Sequence, residues 1–192
     1  MDFLMLVNSD NPLTCDFVPD DLIEVPKFNV NLVSQRHGIM LNRYAFAALN
    51  NMMRSALSDG VYNFLLISGY RSCEHQKRLY DRKLQIDPNY GNDPDNPPAL
   101  ARPGTSEHQT GLCMDILSLE YTNLDEGFAN TPHAKWLKEN AHKFGFILRF
   151  PNDKQRITKI SFEPWHYRYV GIFTSRYIYE NNLTLEEFLS IR

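Results

Sequence analysis

The sequence has no excess of basic charge, no cysteine framework and no long apolar run, and each absence removes a class of function. Its 192 residues carry 20 Lys and Arg against 23 Asp and Glu, a formal net charge of -3. That balance gives no footprint for nucleic acid or for an anionic membrane surface. The densest basic cluster, around Lys77 to Lys83, is interrupted by Asp81. Cys15, Cys73 and Cys113 are widely spaced and odd in number, and no CxxC pair suggests a thiolate zinc site. Free thiols, compatible with a reducing compartment, are the expectation. "MDFLMLVNSD" lacks a basic flank and a small-residue cleavage site. Nothing approaches the roughly 20 apolar residues that span a bilayer. As written the chain reads as cytoplasmic, a reading that a leader or anchor ahead of Met1 would reverse.

Internal repeats and sharp composition breaks are missing too, so residues 1–192 read as one domain, long enough to bury a core. Pro12, Pro19 and Pro26 make the first 30 residues an extended, wrapping segment. Leu41, Tyr44, Ala45, Ala48, Leu49, Met52, Met53, Ala56 and Leu57 recur at helical spacing and predict a helix ended by Asp59-Gly60. Its methionines are core filler. "VYNFLLIS" predicts a buried strand stopped by Gly69. Ser72 predicts the N-cap of a helix from Cys73 to about Leu84, with Glu74 in its first turn. Asp87 to Pro103, with five prolines, reads as a long irregular loop, a functional lid or a disordered stretch. Thr131-Pro132 opens another helix, ending at Gly145. Short strands are expected around Phe146–Arg149, Lys159–Phe162 and His166–Val170, then one or two helices from Ile172. Strands and helices do not alternate as in βαβ units, so the fold class is α+β with an antiparallel sheet.

The chemistry gathers in three stretches. In "GTSEHQTGLCMDI" a strand from Gly111 to Leu117 would put Gly111, Cys113 and Asp115 on one face, with His108 in the loop before it. A histidine and an aspartate make an incomplete metal site, because a catalytic zinc takes three protein ligands and keeps a position open for water. "FEPWHYRYVG" offers His166 as the third. Glu163, three residues earlier, would point to the opposite face of an unbroken strand. Pro164 breaks the run and frees Glu163 to approach as a water-activating base. Arg71 in "SGYRS" follows a buried strand and could stabilise an oxyanion. Each signal has a bland alternative: a loop histidine, a turn-capping Asp115, a core Trp165, sheet-face Tyr167 and Tyr169. His37, His75, His133 and His142 take the bland reading, as surface or helix-face residues.

Together, "SGYRS" with the glutamine that follows, "SEHQTGLCMDI" and "FEPWHYRYVG" resemble the VanY/VanX-type D-alanyl-D-alanine metallopeptidases, whose superfamily includes lysostaphin-like enzymes and the hedgehog signalling domain. The resemblance runs from about Leu6 to Gly171, "WLKENAHKFGFILRFP" included, and looks like a short VanXY-type member. It implies a small central antiparallel sheet, flanked by helices, carrying one Zn²⁺ on His108, Asp115 and His166. It further implies Glu163 as general base and then acid, Arg71 at the oxyanion, and Ser106, Gln76 and Trp165 on the substrate. The substrate it implies is a peptidoglycan stem peptide or D-Ala-D-Ala itself. A D,D-carboxypeptidase on pentapeptides, a dual D,D-dipeptidase, an L,D-carboxypeptidase on tetrapeptides and a non-catalytic zinc-bearing module stay open. The last fits worst, since a structural zinc needs neither Glu163 nor Arg71. Cys113 stands where relatives usually have alanine. It is either a small buried substitute or a thiol close enough to compete for the metal.

Overall fold

The computed structural model describes residues 2–93 and 95–191, so Pro94 of the proline-rich loop lies outside the described residues. In chain order the first half gives β1 (Leu22–Glu24), β2 (Phe28–Asn29), β3 (Leu32–Ser34), β4 (Met40–Asn42), α1 (Arg43–Ser58), β5 (Phe64–Ser68) and α2 (Cys73–Ile86). The second half gives β6 (Cys113–Ser118), α3 (Pro132–Asn140), β7 (Phe146–Leu148), α4 (Gln155–Thr158), β8 (His166–Tyr169), α5 (Ile172–Glu180) and α6 (Leu185–Ser190). β1 and β4 form a two-stranded ribbon, and the other six strands form one sheet in the order β2-β3-β5-β6-β8-β7. Every pair in that sheet is antiparallel except β3 with β5. The fold is α+β, as expected.

Most of the apolar stripe of α1 is buried, but Tyr44 and Leu57 of the predicted stripe are exposed and Leu41 falls in β4, ahead of the helix. Ala45, Leu49, Met52, Met53 and Ala56 join Phe64 and Leu66 of β5, Met114 and Ile116 of β6, and Trp136 and Leu137 of α3 in one cluster. The Asn42 side chain caps α1 by accepting from the N–H groups of Tyr44 and Ala45. Ser72 caps α2 through the N–H of His75, and Thr131 caps α3 with Pro132 in its first turn. α3 tightens into a 3-10 turn at Ala141–Phe144 before Gly145, whose φ of +93° ends it. A smaller cluster of Ile147, Val170, Ile178 and Leu185 holds α5 and α6, with Leu4 and Leu6 packed against it. The extended amino-terminal segment and the residues after it supply β1 to β4, and Leu41, expected in the helical stripe, lies in β4 instead.

Three expectations need correction. Lys159–Phe162 is not a strand: Lys159 sits at φ +58° after α4, and the Ser161 and Glu163 N–H groups donate to the loop carbonyls of Pro98 and Phe150. Those donors are therefore unavailable to a ladder. β5 begins at Phe64 rather than Val61 because Asn63 is left-handed at φ +68°. Cys15 and Cys73 are not free thiols but a disulfide with Cα atoms 5.1 Å apart, pinning the wrapping segment to the start of α2. The odd cysteine is Cys113, which is free and buried. Among the described residues no helix is long and apolar enough to cross a membrane.

Candidate metal centre

Strand register builds the site. β6 and β8 pair so that Asp115 lies opposite His166 and Cys113 opposite Arg168. Alternation sends Met114, Ile116 and Tyr167 into the apolar core and leaves Cys113, Asp115, His166 and Arg168 on the other face. On the far side of β6, a register shift after Leu66 sets Ser68 opposite Asp115. The chain then leaves β5 through Gly69, where a side chain would come within 2.3 Å of the Met40 carbonyl oxygen. Only glycine permits that approach, and it delivers Arg71 to the site two residues later. His108 lies in a 3-10 turn, Glu107–Thr110, closed by left-handed Gly111 at φ +69°.

The donor atoms converge. His108 Nδ1 is 2.6 Å from the Gly69 carbonyl oxygen. Because a carbonyl only accepts, Nδ1 carries a proton, so Nε2 is the nitrogen that can serve a metal. That Nε2 is 3.2 Å from Asp115 Oδ2. His166 Nδ1 lies 3.1 Å from Asp115 Oδ1 and 3.4 Å from Glu163 Oε2. Within the set Asp115, Glu163 and His166, and within the set His108, Cys113 and His166, the ligand atoms lie within 4.8 Å of one another. The Cys113 Sγ thus lies within 4.8 Å of a nitrogen of each histidine. Pro164 and Trp165 form a turn in which the His166 N–H donates to the Glu163 carbonyl, so the proline does break the strand and Glu163 reaches the site.

The electrostatics describe a box that lacks positive charge. Burial alone would depress both imidazoles, yet the Cys113 thiol and Asp115 carboxylate raise His108 to about 9 and lift His166 well above its usual range. Burial pushes Glu163 up to about 8, the nearby His166 opposing and Asp115 adding to the rise. Asp115 is held well below the carboxylate range, its burial outweighed by the two histidines. Protons are gathered where a cation would satisfy the same carboxylates. Two imidazoles and one carboxylate suit a catalytic zinc, and these residues fit one.

Arg71 donates to Gln76 Oε1 at 2.8 Å and to Ser68 Oγ at 3.3 Å, and stands 3.6 Å from Asp115. Gln76 completes its amide through Ala101 O at 2.6 Å, so both of its ends are engaged and it holds Arg71 in place. Ser106 and Trp165, both mostly buried, line the same cavity of about 1170 Å³ as Arg71 and Gln76. Trp165 also belongs to the main core cluster. The Asp87–Pro103 loop forms a wall of this cavity. Its Tyr90 packs edge-on against Tyr80 and accepts from the Leu100 N–H at 2.7 Å. The remaining histidines take no part: His133 contacts the Tyr62 carbonyl and His142 stacks on Tyr179.

Sequence reading missed Gly69 and Glu107. Glu107 is buried beside His108, ion-paired at 2.8 Å with both Arg149 and Arg168, and its second oxygen lies 3.8 Å from His166 Nε2. No local pattern announces it, because its partners are 42 residues or more away.

The family model for D-alanyl-D-alanine carboxypeptidase, VanY, matches residues 38–172, which include every site residue named above. The chain belongs to the VanY family. It is 39% identical over 186 residues to the putative carboxypeptidase YodJ of Bacillus subtilis (strain 168), covering 96% of this chain and 66% of that protein. It thus spans about two thirds of the length of that relative. Among solved structures it is similar to the LdcB LD-carboxypeptidase, with a TM-score of 0.84 and 38% identity over 96% of this chain and 84% of the other. It is also similar to a variant of the vancomycin-resistance D,D-pentapeptidase VanY in complex with Zn(II), with a TM-score of 0.75 and 33% identity over 97% and 98% of the two chains.

Proposed function

We propose that residues 1–192 act as a zinc carboxypeptidase domain that removes the C-terminal D-alanine from peptidoglycan precursor pentapeptides, in cell-wall remodelling or glycopeptide resistance. One observation carries the reading. His108 and His166 flank Asp115 at 3.2 and 3.1 Å, and all three line one cavity together with Glu163 and Arg71. His108, Asp115 and His166 would hold the zinc, which when bound supplies Lewis acidity toward water and the scissile carbonyl. The neighbouring VanY structure holds Zn(II), which supports the choice of metal.

Glu163, buried beside His166, takes the proton of the attacking water and returns it to the leaving D-alanine amine. Its elevated pKa reflects burial that outweighs the nearby His166, His108 and Arg71, and a metal cation beside it favours the ionised form that a base needs. Arg71, its guanidinium fixed by Gln76 and Ser68, stabilises the developing oxyanion. Ser106 and Arg71 provide donors for the substrate's terminal carboxylate. The cavity exceeds the needs of a dipeptide, which favours stem peptides over free D-Ala-D-Ala. The Cys15–Cys73 disulfide favours an oxidising compartment over the cytoplasm.

A second reading, an L,D-carboxypeptidase on tetrapeptide stems, is favoured by the likeness to the LdcB LD-carboxypeptidase. The deciding experiment compares D-alanine release by the zinc-loaded protein from a precursor pentapeptide, the corresponding tetrapeptide and D-Ala-D-Ala. Fastest release from the pentapeptide is expected. Fastest release from the tetrapeptide establishes the second reading, and no release from any of the three rejects both.

A further inference from the structure

Two buried polar atoms face each other without a hydrogen-bond partner: Glu107 Oε2 and His166 Nε2, 3.8 Å apart. Burying a polar group without a partner costs about 1–3 kcal/mol, so such a pair calls for an explanation. His166 turns its other nitrogen, Nδ1, toward Asp115 and Glu163. Nδ1 can be a metal ligand only if the ring proton resides on Nε2. Glu107 is the acidic side chain nearest that nitrogen, and it is held from behind. Its Oε1 accepts from Arg149 Nε at 2.8 Å and is ion-paired with Arg168 Nη1 at the same distance. Arg149 is anchored in turn by two bonds to Glu186 of α6, and Arg168 by the carbonyls of Phe3 and Met5. With Oε1 occupied by two guanidiniums, Oε2 is the oxygen left for His166.

We infer that Glu107 is a positioning residue of the metal centre: its Oε2 accepts the His166 Nε2–H, fixing the tautomer that leaves Nδ1 to bind the metal. The inference rests on the reading of His166 as a ligand. A carboxylate behind a ligating histidine both orients the ring and raises its basicity. Here the carboxylate is fixed through Arg168 by the carbonyls of Phe3 and Met5 and through Arg149 by Glu186 of α6.

Glu107→Gln tests this without changing shape. Arg149 and Arg168 compel the amide to present its oxygen to them, so its NH₂ faces His166. Nε2 then becomes the acceptor and the proton moves to Nδ1, the wrong nitrogen. Zinc affinity, measured by competition with a chromophoric chelator, is expected to fall about 10–100-fold. In the zinc-loaded wild type, ¹⁵N imidazole spectra are expected to show His166 protonated at Nε2. A His166 proton on Nδ1 there would overturn the inference even if the variant did not fold. Glu186→Gln, which weakens the same charge network without facing His166, is expected to lower the unfolding midpoint and to cost clearly less zinc affinity than Glu107→Gln, because Arg168 and Arg149 still hold Glu107. An affinity loss in Glu186→Gln equal to that of Glu107→Gln would reduce the effect to network stability and reject the positioning role. His166→Ala separates this inference from the site assignment. It is expected to lose zinc, and if it does while Glu107→Gln binds normally, Glu107 alone is misassigned. If His166→Ala retains zinc, the ligand set fails and the inference with it.

Discussion

Two clusters of buried charge lie back to back in this molecule, and they are built to opposite rules. The network of Glu107, Arg149, Arg168 and Glu186 pairs two carboxylates with two guanidiniums. The metal cluster sets Asp115, Glu163 and the Cys113 thiol around two histidines, with Arg71 standing 3.6 Å from Asp115. The network satisfies its charge internally and holds segments together. The metal cluster keeps lone pairs aimed at a common point and protonates its histidines and Glu163 instead. A saturated ion cluster reads as a brace, whereas a charge-deficient one with convergent donors reads as a binding site. Glu107 belongs to the first and faces the second.

The contrast breaks most sharply at Glu163. Glu163→Gln is expected to lower kcat by about 10²–10⁴-fold, the range for a lost general base, with zinc content unchanged by metal analysis. It should not lower the unfolding midpoint of the metal-free protein, because an amide replaces a carboxyl that burial already keeps protonated. Arg149→Met should do the reverse. Removing one partner of a buried pair costs about 3–5 kcal/mol, read by urea denaturation, because Glu186 and part of Glu107 would be left unpaired. If Arg149→Met were neutral, the network would not be the brace described.

A brace of another kind, the disulfide, gives a smaller effect. Cys15→Ser is expected to cost about 2–4 kcal/mol in the same measurement, the usual range for a native disulfide. The pH dependence of the metal-free protein is the smallest and most diagnostic test. The folded pKa of His108, about 9, exceeds its unfolded value of 6.5, so its contribution is present below pH 6.5 and lost as pH rises toward 9. His166 acts in the same direction, as does Glu163 between about 4.5 and 8. Cys113, lowered to about 7, opposes them. The net expectation is lower stability at pH 9 than at pH 6.5 without metal, and a flatter profile with zinc bound. A metal-free profile that rises with pH would contradict the charge-deficient picture.

The helices were the most legible elements, because periodicity and capping are local. The stripe from Ala45 to Ala56, Ser72 at a cap and Thr131-Pro132 each specify their element within a few residues. The strands of the amino-terminal wrap were not legible: β1 to β4 are two or three residues long, and pairing partners make them strands rather than propensity. The candidate ligands could be read because their spacing straddles a strand start and a proline break. The disulfide could not, since Cys15 and Cys73 are 58 residues apart and an odd cysteine count argued against it.

By itself the sequence determined the α+β class, the principal helices, and the residue types that a zinc peptidase site requires, because those follow from short-range spacing. Tertiary structure alone decided that Asp115 faces His166, that Cys113 lies within reach of both histidines, and that Gln76 bridges Arg71 and the Ala101 carbonyl. It alone placed Glu107 behind His166. Each of these depends on strand register or on charges brought together from distant parts of the chain, and no local pattern encodes either.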